Sequence, residues 1–174
     1  VILKTFSDAR VAELCTPVIY GSSKIAAYHR KALELPPVNM NIISQAEDAG
    51  INRVNIINCV DDETKVELSQ STSIAGEAAF LALEAAVTDL KRGAVDVLLT
   101  APINKHNIQN DEFHFPGHTE YLEERFGGVG RKALMILMKD GLRVALVTGH
   151  IPLAEVPSRI TVEDIVSKLR IFYF

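Results

Sequence analysis

The chain has 174 residues, enough for one domain or one and a half and for a sizeable hydrophobic core. Its 48% hydrophobic and 23% charged residues describe a globular chain and exclude a disordered one. A formal net charge of −4 with no long basic run argues against nucleic acid as a partner. No apolar run reaches membrane-spanning length, because even Ala75 to Val87 is interrupted by Glu77 and Glu84.

Cys15 and Cys59 each sit in an apolar stretch without CxxC spacing, which reads as two buried free thiols in a reducing cytoplasm. No signal-peptide pattern is present, so a cytoplasmic location is expected. The first residues, Val-Ile-Leu-Lys-Thr-Phe, read as the middle of an apolar helix, and Arg-Ile-Phe-Tyr-Phe ends without a helix cap. The chain is therefore expected to be cut at both ends.

Val1 to Cys15 reads as helix with a weak point near Ser7-Asp8, and Pro17 to Tyr20 as a short strand closed by Gly21. Ser22 or Ser23 caps the next helix, where Ile25, Tyr28, His29, Ala32 and Leu33 share one face. His29 is thereby expected to be structural. Beyond Pro36-Pro37, Asn39 to Ser44 and Arg53 to Val60 read as strands, and Asp61-Asp62-Glu63 as a solvated acidic turn. Ser73 to Arg92 is the longest helix, stopped by Gly93. Its Ile74, Ala78, Leu81, Ala85 and Phe80, Leu83, Val87, Leu90 leave hardly any polar face, so burial on two sides is expected. Gly76 and the alanines would admit a close neighbour, a second subunit in this reading.

Ala94 to Thr100 reads as a parallel strand covered on both faces, which completes an alternating α/β pattern. A helix from Thr119 to Arg125 and the loop Gly127-Gly128-Val129-Gly130 follow. Ala133 to Met138 and Leu142 to Thr148 flank Asp140-Gly141, a hairpin signal that makes the sheet mixed. Thr161 is expected to cap a last helix, with Asp164 near the place of its reciprocal acid.

Chemistry concentrates between Leu98 and Phe126, where Lys105, His106, His114 and His118 fall within one loop. Ligands in open α/β sheets bind beyond the carboxyl ends of strands, and both Leu98 to Pro102 and Val144 to His150 read as such ends. These two strand ends are expected to face one site. His114 and His118 have helical spacing, but Pro116-Gly117 between them excludes a helical metal pair. His118-Thr119 stands at a helix start, where free amides and the dipole favour an anion. The other reading is that Thr119 merely caps that helix, and both stay open. His150 is the candidate for metal or proton transfer, although a single histidine is not a metal site. Lys105 either holds phosphate or serves as acid or base, or is an exposed loop lysine, which is the commoner outcome. The glycine-rich loop follows a helix and precedes a strand, the reverse of a dinucleotide fingerprint.

Three segments then carry a specific resemblance: TAPINKHNI (100–108), FPGHTEYLEERF (115–126) and RVALVTGHIPL (143–153). In order and spacing they resemble the 4-hydroxythreonine-4-phosphate dehydrogenases of pyridoxal 5′-phosphate biosynthesis, over nearly the whole chain. The resemblance implies a three-layer α/β fold like isocitrate and isopropylmalate dehydrogenases, which lack the glycine fingerprint. It implies metal-dependent, NAD-linked oxidation of a phosphorylated secondary alcohol followed by decarboxylation. His118 and Thr119 would contact substrate, and Lys105 is the candidate catalytic residue. His150 would be one of three histidine ligands to a divalent cation (Zn, Mg or Co) at a homodimer interface.

The family's opening Gly-Asp/Glu-x-x-Gly strand and its downstream half are missing here, and with them the other metal ligands and most of the NAD site. The expected division is residues 1–102 as a first α/β domain, and 103–174 as the substrate and metal loop with the start of a second. A lone chain of this length is expected to be inactive. A dehydrogenase for a threonate or erythronate 4-phosphate would share these motifs; a phosphate acyltransferase of similar fold would need neither NAD nor metal. A binding or assembly fragment is the non-enzyme reading.

Overall fold

The computed structural model describes residues 1–61, 63–65, 67–128 and 132–173. Asp62 of the acidic turn, Val129 and Gly130 of the glycine-rich loop, and the terminal Phe174 lie outside the described residues. The chain forms two compact units, Val1–Phe126 and Gly127–Phe174.

In the first unit two short helices, α1 (Ile2–Thr5) and α2 (Arg10–Leu14), flank the break foreseen at Ser7-Asp8. Strands β1 (Val18–Gly21), β2 (Met40–Ile43) and β3 (Val54–Asn58) form a parallel sheet in the order β1-β3-β2. Helix α3 (Ser23–Ala32) connects β1 to β2; its first turn is held by the Ser22 hydroxyl, which accepts from the Ile25 amide at 3.3 Å. His29 lies partly buried on α3 with its ring 5.8 Å from that of Tyr28, edge to face.

Central strand β3 buries Val54, Asn55 and Ile56. Asn55 is fully buried, which is tolerable because its amide is satisfied. Its Oδ1 accepts from Asn41 Nδ2 and the Gly50 amide, both at 2.9 Å. Its Nδ2 faces the carbonyls of Pro17, Gly50 and Arg53 at 3.1–3.2 Å. One side chain thus ties the entry to β1, the neighbouring strand β2 and the turn before β3.

Helix α4 (Ser73–Lys91) begins where the Thr72 hydroxyl accepts from the Ala75 amide at 3.2 Å and stops before Gly93, whose φ is +76°. Tyr20 on β1 donates to Asp89 at 2.6 Å, and Arg92 bonds both Asp89 and Glu47, so the end of α4 is fastened to the sheet. The other contact of α4 is with the long loop that follows it. Phe80, Leu83 and Val87 pack with Ile108, Phe113 and Tyr121, and Leu98, Ile103, Phe115 and Leu122 close the cluster. Ring centroids of 5.2 Å for Phe113–Tyr121, 5.5 Å for Phe113–Phe115 and 6.1 Å for Phe80–Phe113 lie in the range where aromatic pairs attract. Helix α5 (His118–Phe126) completes the unit. Glu84 on α4 accepts from the Tyr121 hydroxyl and the Arg125 guanidinium, joining the two helices.

Several expectations are corrected here. Ala94 to Thr100 is not a strand. Leu98 packs inward, but Val97 and Leu99 are 73% and 91% exposed and no strand among the described residues pairs with them. Without a neighbouring edge, an apolar run has no ladder to join. Helix α4 packs against β1 and against the loop that follows it, as expected, but leaves Ile74 and Leu81 51% and 41% exposed. The close approach at Gly76 is to the chain's own loop, since a Cβ there would sit 1.6 Å from the Asn107 carbonyl oxygen. Cys15 is exposed and Cys59 half-buried, so the thiols are free but not both buried. The packed first unit runs on through Phe126, because the aromatic residues after position 102 fill the core under α4; the expected division fell at 102/103.

In the second unit β4 (Ile136–Lys139) and β5 (Leu142–Ala145) form the expected antiparallel hairpin, with Lys139 opposite Leu142 and Asp140 at φ +50°. They make a separate sheet, so among the described residues each sheet is of one kind and the expected mixed sheet is not formed. Strand β5 ends at Ala145, short of Thr148. A 3-10 turn (Leu153–Glu155), helix α6 (Val156–Arg159) and helix α7 (Val162–Tyr173) follow. Thr161 caps α7 as expected: its hydroxyl accepts from the Asp164 amide at 3.1 Å and donates to the Asp164 carboxylate at 2.8 Å. Every described residue of this unit remains at least partly exposed.

Two substitutions test what holds the first unit together. Asn55→Ala strands several buried partners and should lower the stability of the full-length protein by about 2–3 kcal/mol, read as a shift in denaturant midpoint. Gly76→Ala forces the Asn107 backbone away and should cost about 1–3 kcal/mol. Gly21→Ala, where a Cβ meets nothing within 4 Å, is the control and should change little.

Candidate functional site

The loop after Pro102 is shaped by its own amides. Asn104 Oδ1 accepts from the backbone of His106 at 3.0 Å and of Asn107 at 3.4 Å, a local turn that presents Lys105 outward. Its Nδ2 donates to Ser71 Oγ at 3.0 Å, and Asn107 Nδ2 donates to the Thr72 carbonyl at 3.1 Å. The loop is therefore fastened to the start of α4 at two points.

Pro116-Gly117 breaks the chain before α5, and Gly117 serves as its cap, its carbonyl accepting from the Tyr121 amide at 3.3 Å. His118 and Thr119 occupy the first turn. Thr119 is exposed and lies past the cap position, so the reading of Thr119 as the plain cap does not hold. Lys105 reaches this turn: its Cε and Nζ lie 3.8 and 4.0 Å from the point a Gly117 Cβ would occupy, with Glu120 Oε2 at 3.5 Å from the same point. An ammonium, a carboxylate and a helix N-terminus converge over one glycine.

His118 is partly buried, and that burial lowers its pKa from the ordinary 6.5, favouring the neutral ring. A neutral imidazole, the Thr119 hydroxyl, the Lys105 ammonium and the first amides of α5 are suited to a phosphate or carboxylate. Burial first, and then the Glu84 carboxylate, push the Tyr121 phenol up, so it remains a donor to Glu84 and keeps α5 on α4. His106 and His114 are exposed, and His114 Nε2 lies 2.9 Å from the Asp111 carbonyl oxygen, outside α5. A cavity of about 450 Å³ in the same unit is walled mainly by Ile2, Ile19, Ile25, Met40 and Ile56, with His29 on its lining; neither Lys105 nor His118 borders it.

Of the predicted site residues, Lys105, His118 and Thr119 come together in the first unit, and His150 belongs to the second. Neither expected strand end is one: Thr100 lies in an unpaired stretch, and Thr148 beyond the end of β5. His150 is exposed and has a φ of +55°. No group of three or more His, Cys, Asp or Glu able to hold a metal exists among the described residues. His150 by itself could supply at most one of the three or four ligands that a divalent cation takes. Sequence reasoning read Pro116-Gly117 only as a helix break and did not place it in the site, although a Pro-Gly break followed by acids in a helical first turn is a recognisable start signal.

The chain is similar to known proteins over most of its length. The sequence profile of the family described as "Pyridoxal phosphate biosynthetic protein PdxA" matches residues 13–173. The 4-hydroxythreonine-4-phosphate dehydrogenase of Bacteroides thetaiotaomicron is 58% identical over 99% of this chain and 47% of its own length. That of Sulfurihydrogenibium sp. is 41% identical over 88% of this chain and 46% of its own length. A Clostridium botulinum protein, provisionally named a D-threonate 4-phosphate dehydrogenase, is 28% identical over 95% of this chain and 49% of its own. The chain thus spans about half the length of the curated relatives it matches. The crystal structure of 4-hydroxythreonine-4-phosphate dehydrogenase from Klebsiella pneumoniae superposes with a TM-score of 0.76 at 24% identity, covering 87% of this chain and 46% of that one, which shows a shared α/β fold. The chain belongs to the family of the pyridoxal phosphate biosynthetic protein PdxA.

Proposed function

We propose that this chain supplies the substrate-anion site of an NAD-linked, metal-dependent dehydrogenase of isocitrate/isopropylmalate dehydrogenase-like three-layer fold. The enzyme oxidises the secondary alcohol of 4-phosphohydroxy-L-threonine and releases carbon dioxide to give 3-amino-2-oxopropyl phosphate. The observation that carries this reading is the meeting of Lys105 with the first turn of α5. Relatives 58% and 41% identical, both named for that activity, support the substrate.

In this reading Lys105 sets a compact positive charge against the substrate's anionic group, while the α5 amides and the Thr119 hydroxyl fix its orientation. A neutral His118 adds a hydrogen bond in either direction without a permanent charge. Glu120, beside the same glycine, limits how far the Lys105 side chain swings. Bound NAD would supply the hydride acceptor, and a divalent cation would supply Lewis-acid polarisation of the reacting oxygens. His150 contributes one ligand to that cation, the others coming from beyond this chain, at the interface of a homodimer. A proton-transfer role for Lys105 is the alternative, and it would show as a loss of kcat in Lys105→Ala rather than a rise in KM. The free thiols Cys15 and Cys59 accord with a cytoplasmic enzyme.

The Clostridium botulinum relative favours one further reading, D-threonate 4-phosphate as substrate with the same anion site. The two separate in one assay on the full-length protein, following NADH with each substrate, NAD and a divalent metal. Metal-dependent NADH from 4-phosphohydroxy-L-threonine, abolished by chelator and by His150→Ala, is expected. Turnover of D-threonate 4-phosphate alone would keep the chemistry and move the substrate; NADH from neither would overturn the dehydrogenase reading.

Lys105→Ala should raise KM for the phosphorylated substrate by about tenfold to a hundredfold, the loss of one charge-assisted contact, checked by steady-state kinetics. His118 should titrate below 6.5 by NMR. As pH falls below 6.5 the unfolded chain takes up a proton that the folded chain resists, so stability declines. His118→Asn should remove that part of the acid sensitivity.

A further inference from the structure

Gln109 is exposed and belongs to no helix or strand, yet its side chain makes two bonds that link the halves of the anion site. Its Nε2 lies 3.2 Å from the Lys105 carbonyl oxygen and 2.9 Å from that of Phe115. A primary amide nitrogen has two hydrogens, and both are used on carbonyls that come from the two sides of the loop. Lys105 stands on one side. Phe115 stands on the other, just ahead of the Pro116-Gly117 break and the first turn of α5.

The two sides also share the apolar cluster, through Ile103 and Ile108 on one and Phe113 and Phe115 on the other, but the side-chain amides of Asn104 and Asn107 do not join them. Asn104 and Asn107 fasten the Lys105 side to Ser71 and Thr72 at the start of α4. Phe113, Phe115 and Tyr121 fasten the other side to the aromatic cluster. Lys105 itself is exposed, with a long flexible side chain, so the direction of its ammonium depends on where its backbone is held. We propose that Gln109 is a positioning residue: it clamps the Lys105 turn to the segment before α5, and so holds the Lys105 ammonium over Gly117. The proposal rests on the reading of Lys105 and the α5 N-terminus as the substrate-anion site.

The clamp predicts a particular kinetic signature. Releasing it leaves every group that touches substrate in place, but spreads the ammonium over more positions. Binding weakens, while the chemical step on substrate already bound is largely unchanged. Gln109→Leu keeps the length of the side chain and removes both donors without adding charge.

The experiment uses the full-length enzyme with 4-phosphohydroxy-L-threonine, and inorganic phosphate as a competitive probe. Gln109→Leu should raise KM and the phosphate inhibition constant together by about tenfold, with kcat within about twofold and the melting temperature close to wild type. Combined with Lys105→Ala it should add almost nothing, because both act through one group. A full additional loss in the double variant would show that Gln109 acts apart from Lys105 and overturn the proposal. So would an unchanged KM in Gln109→Leu when Lys105→Ala weakens binding. If Lys105→Ala itself leaves both constants unchanged, the site reading fails, and the clamp with it. Each failure is thus recognisable from the single variants together with the double variant.

Discussion

The first unit depends on the contact between Gly76 and Asn107. A helix and a loop meet there at backbone distance, with no space for even one carbon between them. That approach lets Ile108 descend into the face of α4, where it is completely buried beside Val87 and Phe113. Once the loop is held, Asn107 bonds the Thr72 carbonyl and Asn104 bonds Ser71, so the fit is reinforced by polar contacts at the helix start. Glycine at position 76 has a packing reason here, since burial of well-fitted apolar groups gives most of the stabilisation and a single misplaced carbon disturbs it.

The second organising feature is the carboxylate of Glu84. It faces a phenol and a guanidinium from α5, in the middle of a surface that is otherwise aromatic and aliphatic. The arrangement fixes the rotation of α5 about its axis and therefore where its first turn points. Hydrophobic contact alone is non-directional and would leave that rotation less defined. At the opposite end of α4, Tyr20, Asp89, Arg92 and Glu47 perform the same service against the sheet. Helix α4 thereby becomes the common support of the sheet and of α5.

The apolar surface left uncovered is concentrated in particular places. Val97 and Leu99 point away from the cluster that holds Leu98, Ile74 and Leu81 lie on the outer face of α4, and α7 exposes Val162 and Leu169. The first four belong to stretches whose sequence pattern reads as buried. The chain spans about half the length of the curated relatives it matches.

Local sequence determined much of this protein by itself. The break at Ser7-Asp8, the caps at Ser22 and Thr161, the stop at Gly93 and the Asp140-Gly141 hairpin are all short-range chemistry, decided within a few residues. The three motifs that carry the family resemblance are likewise local, which is why Lys105, His118 and Thr119 were legible as one candidate site. Tertiary structure decided the rest. Whether Ala94 to Thr100 joins a ladder depends on a neighbour, not on its own apolar run, and Gly76 could not announce from sequence that its neighbour was Asn107. Gln109 gave no signal, because its meaning lies in two carbonyls that become close only after the loop has closed. Short-range preferences are set by a residue's own geometry, whereas burial and convergence are set by what the folded chain brings against it.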